Sequence, residues 1–248
     1  MTRVEPTRRV KSLALQLLFE IADQWTEGRA FCVQVGANDG VIADPLNPFL
    51  TKRGWGGLLM EPNPLYFRRA EALHADNDRV TVRNIGCSSE PGTLPLYHLG
   101  EAHEHLYRRN ARGTASLDRA WLHDALAKES EVFDESHIAV TEVQLDRLDD
   151  ILAREGVTRA DVLVIDVEGH EAEVLAGLDL LALNPVLARV ECTDRKRTRA
   201  LMPVLAAGGR SVYKIAGELI ALAPELREAI EVDHLLQTLG LGAYTAEA

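Results

Sequence analysis

The chain has 248 residues, of which 46% are hydrophobic and 26% charged, and its formal net charge at pH 7 is −11. This length suits one α/β domain with a sizeable core. The acidic balance argues against duplex nucleic acid or an anionic membrane surface as the main partner, because both select for basic patches.

The N-terminal residues and the cysteines indicate the compartment. Apolar side chains in residues 10–22 recur at helical spacing between charged ones, which predicts an amphipathic helix rather than a signal peptide or membrane span. We therefore expect residues 1–29 to be an N-terminal helical extension and residues 30–248 the main domain. No cysteine pair has metal-ligand spacing, and each thiol adjoins an apolar run, so we expect free thiols in a cytoplasmic protein. The three cysteines are Cys32, Cys87 and Cys192.

The first strand signal is the apolar run Phe31–Val35, and the turn Gly36–Gly40 follows it at once. Its two glycines allow positive φ and close backbone approach to a ligand. Asn38 and Asp39 tolerate such turns and add side-chain hydrogen bonds. In an open α/β sheet, nucleotide-like ligands bind at this edge.

Strand and helix signals alternate along the rest of the chain, which predicts a mostly parallel sheet with helices on both faces. Predicted strands cover residues 57–60, 79–84, 93–97, 140–145, 161–166, 186–191, 212–215 and 219–222. Predicted helices cover residues 65–74, 117–128, 146–154, 171–183, 195–207 and 224–239, and a turn at 44–48 opens a short helix that ends near 54. The long, irregular segment 98–135 predicts a lid or a substrate-binding insertion.

Further strand ends add groups that suit an adenosine-like nucleoside. Glu61 lies about 20 residues after the glycine turn, where an acidic side chain accepts hydrogen bonds from ribose hydroxyls. Gly86 and Cys87 follow the next strand, where a flat base can lie against apolar atoms.

The glycine turn also discriminates between nucleoside cofactors. A dinucleotide site favours a Gly-x-Gly-x-x-Gly loop that holds pyrophosphate. This turn has two glycines and Asp39, whose carboxylate would repel pyrophosphate but attract the cationic end of S-adenosylmethionine. The negative charge of Asp39 therefore favours S-adenosylmethionine as the cofactor. The alternative is an NAD-linked sugar-modifying enzyme.

The fourth strand end supplies candidate catalytic groups. Asp166 and Glu168 can face the ligand crevice, and Gly169 lets the chain turn close to it. His170 follows, and histidine suits a general base because its unperturbed pKa is about 6.5. Each acid taken singly could instead cap a helix, but strand-end acids that recur in register favour a ligand site. Such acids also leave room for a divalent metal such as magnesium, to which no ligand residue is assigned.

Six segments, taken in order, resemble the successive motifs of the FkbM family of S-adenosylmethionine-dependent methyltransferases. The resemblance implies a Rossmann-like class I methyltransferase fold of the α/β class, with a mostly parallel seven-stranded sheet, helices on both faces, an N-terminal helix and a lid-like insertion. It also implies O-methylation of a hydroxyl on a sugar, glycan or polyketide. The segments are Val35–Gly40, Met60–Pro64, Ile85–Ser88, Val143–Asp146, Asp166–Glu171 and Val190–Glu191.

The resemblance also implies roles for individual residues. The methionine part of the cofactor would contact Gly36, Asn38, Asp39 and Gly40, with Asp166 beside its amino group. The ribose would be held by Glu61 in a pocket shaped by Asn63, and the adenine would lie between Gly86 and Cys87. One departure is Ile165, which stands where the family often has a lysine.

These expectations combine into an S-adenosylmethionine-dependent O-methyltransferase of sugars, glycans or related natural products. His170 is the expected base, and Asp166 or Glu168 would orient or replace it. The acceptor, a small molecule or oligosaccharide, would lie under the insertion; a homodimer is compatible with this interpretation. A non-catalytic binding protein on the same fold is the rival, while an RNA or protein methyltransferase fits the acidic charge poorly. Expected acceptor contacts are Tyr97, His98, His103, Tyr107, Arg108, Arg109 and Ser116.

Overall fold

The structure, a computed structural model, describes residues 7–229 and contains two β-sheets with helices packed around them. The strands are β1 (Phe31–Val35), β2 (Gly56–Met60), β3 (Val80–Arg83), β4 (Gly86–Ser88), β5 (Gly92–Leu99), β6 (Ala115–Ser116), β7 (Ile138–Arg147), β8 (Val162–Ile165), β9 (Leu187–Glu191), β10 (Ser211–Ile215) and β11 (Glu218–Leu222). The helices are α1 (Arg8–Trp25), α2 (Asn47–Lys52), α3 (Pro64–Leu73), α4 (Arg119–Glu129), α5 (Leu148–Glu155), α6 (Glu171–Ala176), α7 (Leu180–Leu183), α8 (Arg195–Leu205) and α9 (Pro224–Ala229).

The main sheet has seven strands in the order β10-β11-β9-β8-β1-β2-β3, which confirms the predicted seven-stranded, mostly parallel sheet. Strand β11 is antiparallel to both of its neighbours, whereas β1, β2, β3, β8 and β9 pair in parallel. The chain order reverses between β1 and β8. In such a sheet, ligands bind outside the carboxyl ends of the strands at that reversal.

Apolar cores on both faces of the sheet hold it rigid. One face packs against α1, whose Ala14, Leu18, Phe19 and Ala22 are buried at helical spacing. The other face packs against α5, α6, α7 and α8. The amphipathic N-terminal helix is therefore present and contributes to the core. No helix within residues 7–229 is both long and apolar enough to cross a bilayer.

A second, four-stranded sheet in the order β4-β7-β5-β6 lies beside the first, and the sequence analysis did not anticipate it. Strand β7 has ten residues, longer than the predicted 140–145, and pairs in parallel with β4 and antiparallel with β5. Of its four strands, β5 and β7 were predicted, whereas β4 was predicted as a turn and β6 was not predicted. Their pairing partners are distant in sequence. Pairing partners of that kind leave no local signal.

Two predicted helices differ from the observed ones. The predicted helix 171–183 is divided into α6 and α7, because the Asp179 side chain accepts hydrogen bonds from the backbone N–H groups of Leu181 and Ala182 and starts a new helix. The predicted helix 224–239 is observed as α9 up to Ala229, and its remainder lies outside the described residues.

The segment 98–135 has a small core of its own. Leu99, Tyr107, Leu122 and Leu126 are buried together in it, and its one predicted helix corresponds to α4. The rest is short 3₁₀ turns and the two-residue strand β6, which pairs with β5. The segment is therefore folded, and it packs against the second sheet.

Candidate functional site

The glycine turn brings the ends of β1 and β8 together. Gly36 has a φ of +84°, and a Cβ atom at this position would overlap the carbonyl oxygen of Asp166. Its N–H donates to the carbonyl of Met60 at 2.9 Å, which ties the turn to β2 as well. Glycine at this position therefore lets three strand ends converge at the reversal of strand order.

Glu61 shapes the same edge from the end of β2. Its Oε2 accepts from the N–H of Asn38 at 2.8 Å, and its Oε1 accepts from the N–H of Asn63 at 2.8 Å. Burial raises the pKa of this carboxyl to about 7, although both N–H donors act in the opposite direction. Each oxygen retains acceptor capacity, so the carboxylate can bind the two hydroxyls of a ribose.

A cleft of about 1000 Å³, partly open to solvent, runs along this edge of the sheet. It collects most of the residues predicted for the cofactor and for catalysis. The predicted residues that line it are Gly36, Asn38, Glu61, Gly86, Cys87, Asp166, Glu168 and His170.

Three predicted cofactor residues do not line the cleft but shape its surroundings. Asp39 accepts hydrogen bonds within the turn, from the N–H groups of Val41 and Ile42. Asn63 is buried and caps α3 through the N–H of Leu65. Gly40 is buried behind the turn. These residues orient the groups that face the cleft.

Part of the cleft lining is apolar. Pro62, Cys87, Leu96 and Leu145 line it together with the backbone of Gly86. Burial raises the pKa of the Cys87 thiol, which stays neutral at physiological pH. A flat, uncharged base fits such a surface, whereas a charged group does not.

Another part of the cleft is acidic, where Asp166 and Glu168 line it and Glu191 lies next to them. Carboxylate oxygens of Asp166, Glu168 and Glu191 all lie within 4.8 Å of one another. Burial and the charge of Asp166 raise the pKa values of Glu168 and Glu191. A cation beside these groups would relieve their mutual repulsion. Glu191 stands in a motif quoted above but was not predicted as a site residue.

His170 lies at the start of α6 and is half-buried. Its Nε2 is 2.9 Å from Ser88 Oγ, and its Nδ1 is 3.6 Å from Glu173. Burial lowers the pKa of the imidazole, so the ring is neutral at pH 7, the form that a general base requires. Ser88 comes from β4, 82 residues away, and sequence reasoning did not connect the two.

The insertion closes the cleft opposite the sheet edge. Gly113, Thr114, Ala115 and Leu117 line it. Between them, Ser116 is buried, and its Oγ donates to the carbonyl oxygen of Glu168 at 2.8 Å. The insertion is therefore bonded to the loop that carries the acidic groups.

A second set of contacts holds the insertion on α3. The Tyr66 hydroxyl bonds the Arg112 carbonyl and, at 2.6 Å, the Glu104 carboxylate. Arg69, one turn further along α3, pairs with Glu104 at 3.3 Å.

None of the residues predicted to contact the acceptor lines the cleft. His98 bonds the Leu99 carbonyl and Thr141, and His103 stacks on His137 with ring centroids 4.3 Å apart. The Tyr107 hydroxyl also bonds His137. Tyr97 packs against the small core of the insertion, and Arg108 and Arg109 are exposed. The insertion residues that do line the cleft are Leu117 and the small-residue run 113–115, and none of them was predicted as a site residue.

The fold and the cleft together define a class of protein. A seven-stranded sheet with one antiparallel strand, a glycine turn after β1 and a buried acid after β2 are the features of a Rossmann-like class I methyltransferase. The residues present fit S-adenosylmethionine, because apolar side chains, a carboxylate that can bind a diol and further acidic side chains line a single cleft.

The chain belongs to the FkbM methyltransferase family, since residues 34–236 match the Methyltransferase FkbM domain. It is thus an S-adenosylmethionine-dependent methyltransferase, as the motif resemblance predicted. It is 28% identical over 200 residues to the methyltransferase sdnD of Sordaria araneosa, an alignment that covers 72% of this chain and 71% of that protein.

Two solved structures are similar at low identity. The FkbM methyltransferase from Methylobacillus flagellatus is 13% identical with a TM-score of 0.47, over 79% of this chain and 44% of that one. This chain therefore spans less than half the length of that relative. Aeropyrum pernix fibrillarin, crystallised with natively bound S-adenosyl-L-methionine, is 12% identical with a TM-score of 0.42, over 78% and 66% of the two chains.

Proposed function

We propose that the protein transfers a methyl group from S-adenosylmethionine to a hydroxyl of a sugar, glycan or related natural product. The observation that supports this most directly is the position of the His170 imidazole, which lines the same cleft as the carboxylates of Asp166 and Glu168. An alcohol needs such a group, because its proton must leave as the oxygen attacks carbon.

Each part of the cleft has a task in this reaction. Glu61 binds the ribose and fixes the cofactor along the sheet edge. When bound, S-adenosylmethionine supplies an electrophilic methyl group on a positively charged sulfur. Asp166 and Glu168 line the acidic part of the cleft, where the charge of Asp166 stabilises a sulfonium and the two side chains orient the acceptor. Holding the acceptor oxygen in line with the methyl group is the main contribution to rate.

Nε2 of His170 donates its hydrogen to the Ser88 hydroxyl, which holds the ring in place and leaves the lone pair on Nδ1. The proton of the acceptor passes to Nδ1, and Glu173, 3.6 Å from that nitrogen, stabilises the imidazolium that forms. Glu168 is the second candidate base, because its raised pKa makes the carboxylate a stronger proton acceptor than an ordinary glutamate.

A divalent cation is a separate, finer proposal for the acidic part of the cleft. Asp166, Glu168 and Glu191 offer three oxygen ligands, which is the ligand chemistry that magnesium prefers. If a cation orients the acceptor, chelation abolishes methyl transfer and added magnesium restores it. Full activity in excess chelator would exclude the cation.

The test of the proposed function is product analysis with radiolabelled S-adenosylmethionine. Methyl glycosides, oligosaccharides and hydroxylated polyketides are the probes, with peptides, amines and RNA as comparisons. We expect label on oxygen of a hydroxylated small molecule or oligosaccharide, in keeping with the net charge of −11. Label found on nitrogen or carbon would overturn the proposal.

His170→Ala tests the base. Turnover should fall by about 10²–10⁴-fold, the usual contribution of a general base, while affinity for S-adenosylhomocysteine stays within about twofold. Glu135→Gln, a change at an exposed ion pair outside the cleft, is the matched control. Near-normal turnover of the His170 variant would contradict this assignment and would favour Glu168 as the general base.

A further inference from the structure

The insertion carries three arginines directly before the residues with which it lines the cleft. Arg108, Arg109 and Arg112 fall within five positions, and the lining residues 113–115 follow at once. We call these three arginines the arginine rim. Transfer of the methyl group, as proposed above, uses none of them.

Charge pairing elsewhere in the chain distinguishes the arginine rim. Acidic residues outnumber basic ones by 38 to 27, so carboxylates are abundant as partners for guanidinium groups. Arg119, in the same insertion, pairs with Glu135 at 2.7 Å, and Arg69 pairs with Glu104 at 3.3 Å. Within residues 7–229, no carboxylate forms a salt bridge with an arginine of the rim. The rim is therefore a local excess of positive charge on an acidic protein.

The backbone holds the rim in a fixed shape. A 3₁₀ turn covers Arg109–Ala111 and ends at Arg112, and side chains three positions apart in such a turn lie on the same face, so Arg109 and Arg112 share one. Ala111 is buried in the small core of the insertion, and the carbonyl of Arg112 accepts from the Tyr66 hydroxyl on α3. Arg108 and Arg109 are exposed. A turn that is anchored at its buried side thus presents positive charge to solvent.

The residues after the rim lead to the acidic part of the cleft. Gly113 packs so closely against the glycine turn that a Cβ atom would overlap the amide of Asn38. Ser116, at the far end of the same run, bonds the carbonyl of Glu168. Arg112 and Ser116 are four positions apart, so their Cα atoms lie within about 14 Å of each other. A sugar that carries a diphosphate can span such a distance.

The opposite charges of the two places orient an acceptor. Carboxylates of Asp166 and Glu168 line the cleft near His170, and they repel an anionic group. The arginine rim attracts the same group from outside. An acceptor with an anionic group therefore enters with its uncharged, hydroxylated end towards His170.

The number and the type of the cations indicate which anion fits. A guanidinium group binds an oxyanion through two parallel N–H donors, so one arginine is enough for a carboxylate. A phosphate ester or a diphosphate presents several oxygens and more than one negative charge, which three arginines match. We propose that the arginine rim binds phosphate on the acceptor, which is then a sugar phosphate or a sugar joined to a nucleoside diphosphate. This inference rests on the proposed transfer to a hydroxyl and names the class of molecule that carries that hydroxyl.

Inorganic pyrophosphate tests the rim without a sugar. The protein is saturated with S-adenosylhomocysteine and titrated by calorimetry in metal-free buffer, so that no cation at the acidic part of the cleft bridges the ligand. We expect saturable binding that weakens with added salt. The double variant Arg108→Gln, Arg109→Gln removes two exposed charges and should bind pyrophosphate at least about tenfold more weakly.

Arg159→Gln is the matched control. Arg159 is also exposed, but it precedes β8 and so lies at the opposite edge of the sheet from the cleft. The control variant should bind pyrophosphate as wild type does. No binding by the wild-type protein, or equal affinity in wild type and the double variant, would overturn the proposal.

Sugar ligands distinguish phosphate from other groups under the same conditions. Glucose 1-phosphate and uridine diphosphate glucose should bind at least about tenfold more tightly than methyl glucoside, and the double variant should remove most of that difference. Equal affinity for all three ligands, or tighter binding of glucuronic acid than of glucose 1-phosphate, would contradict a phosphate site. Saturable binding of single-stranded RNA at physiological salt that is lost in the double variant would assign the rim to nucleic acid and would also overturn the proposal.

A failure of this proposal differs from a failure of the proposed function. Label on nitrogen or carbon in the product analysis would exclude a hydroxyl acceptor, whereas the rim would still bind pyrophosphate. Label on oxygen of an uncharged glycoside, turned over as fast as its phosphorylated form, would overturn the role of the rim alone.

Discussion

The two walls of the cleft are built in different ways. The sheet wall consists of Gly36, Glu61 and Asp166, which belong to or adjoin strands of the main sheet, and backbone N–H groups hold Glu61 in place. The insertion wall consists of residues 113–117, which pair with β5 of the second sheet only through the two-residue strand β6 and join the loop after β8 through the side-chain bond from Ser116 to Glu168.

This difference assigns a task to each wall. A cofactor shared by a whole family needs a constant binding surface, and a sheet edge fixed by backbone pairing supplies one. An acceptor varies among relatives, and a loop-rich segment can change without disturbing the sheet. Changes in the sheet wall should therefore reduce stability and cofactor binding, and changes in the insertion wall should affect the acceptor.

The largest effect is expected from Gly36→Ala. Its φ of +84° is unfavourable for alanine, and the new Cβ would overlap the Asp166 carbonyl. Gly54→Ala is the control, because Gly54 also has a positive φ, of +73°, but open space around it. We expect a loss of unfolding free energy in urea of about 1 kcal/mol for the control and at least about 3 kcal/mol for Gly36→Ala. Equal losses of unfolding free energy in the two variants would show that the close approach of Gly36 to the Asp166 carbonyl does not matter for stability.

A smaller effect is expected from pH, through Glu61. Folding raises the pKa of this carboxyl from 4.5 to about 7, so its contribution favours the folded state below pH 4.5 and is lost as the pH rises through about 7. Between pH 5 and 8 the cofactor-free protein should therefore lose up to about 3 kcal/mol of stability from this group. Thermal unfolding of Glu61→Gln should show a shallower pH slope than wild type, and identical slopes would contradict the assignment.

The insertion wall is tested by Gly113→Ala. A Cβ at this position would overlap the amide of Asn38, so the insertion would sit farther from the glycine turn. We expect the KM for the acceptor to rise about tenfold while urea stability changes by less than about 1 kcal/mol. Gly92→Ala, which meets nothing within 4 Å, is the control and should resemble wild type. A larger loss in stability than in KM would mean that this wall belongs to the rigid frame.

The smallest effect is expected from Ser116→Ala, which removes one hydrogen bond to the carbonyl of Glu168. Such a bond contributes about 1 kcal/mol, so the KM for the acceptor should rise by about fivefold, with cofactor affinity unchanged. Ser130→Ala, at an exposed turn of the insertion, is the control. Weaker cofactor binding in Ser116→Ala would show that the two walls are coupled.

The site illustrates how far local patterns reach. Glu61 and Asp166 could be found because each directly follows an apolar strand, and parallel strands place their carboxyl ends at one edge. His98 and Tyr107 were predicted as acceptor contacts from polar and aromatic character in an irregular segment, which says nothing about which side faces the cleft, and neither lines it. Both are bonded within the insertion or to the second sheet.

The amino-acid sequence by itself determined the alternation of strands and helices, the glycine turn and the acids that follow the strands, because each of these depends on neighbouring residues. Only the tertiary structure decided the second sheet, the pairing of His170 with Ser88 and the hydrogen bond from Ser116 to Glu168. These features arise from contacts between distant segments, and such contacts depend on which strands become neighbours once the chain has folded.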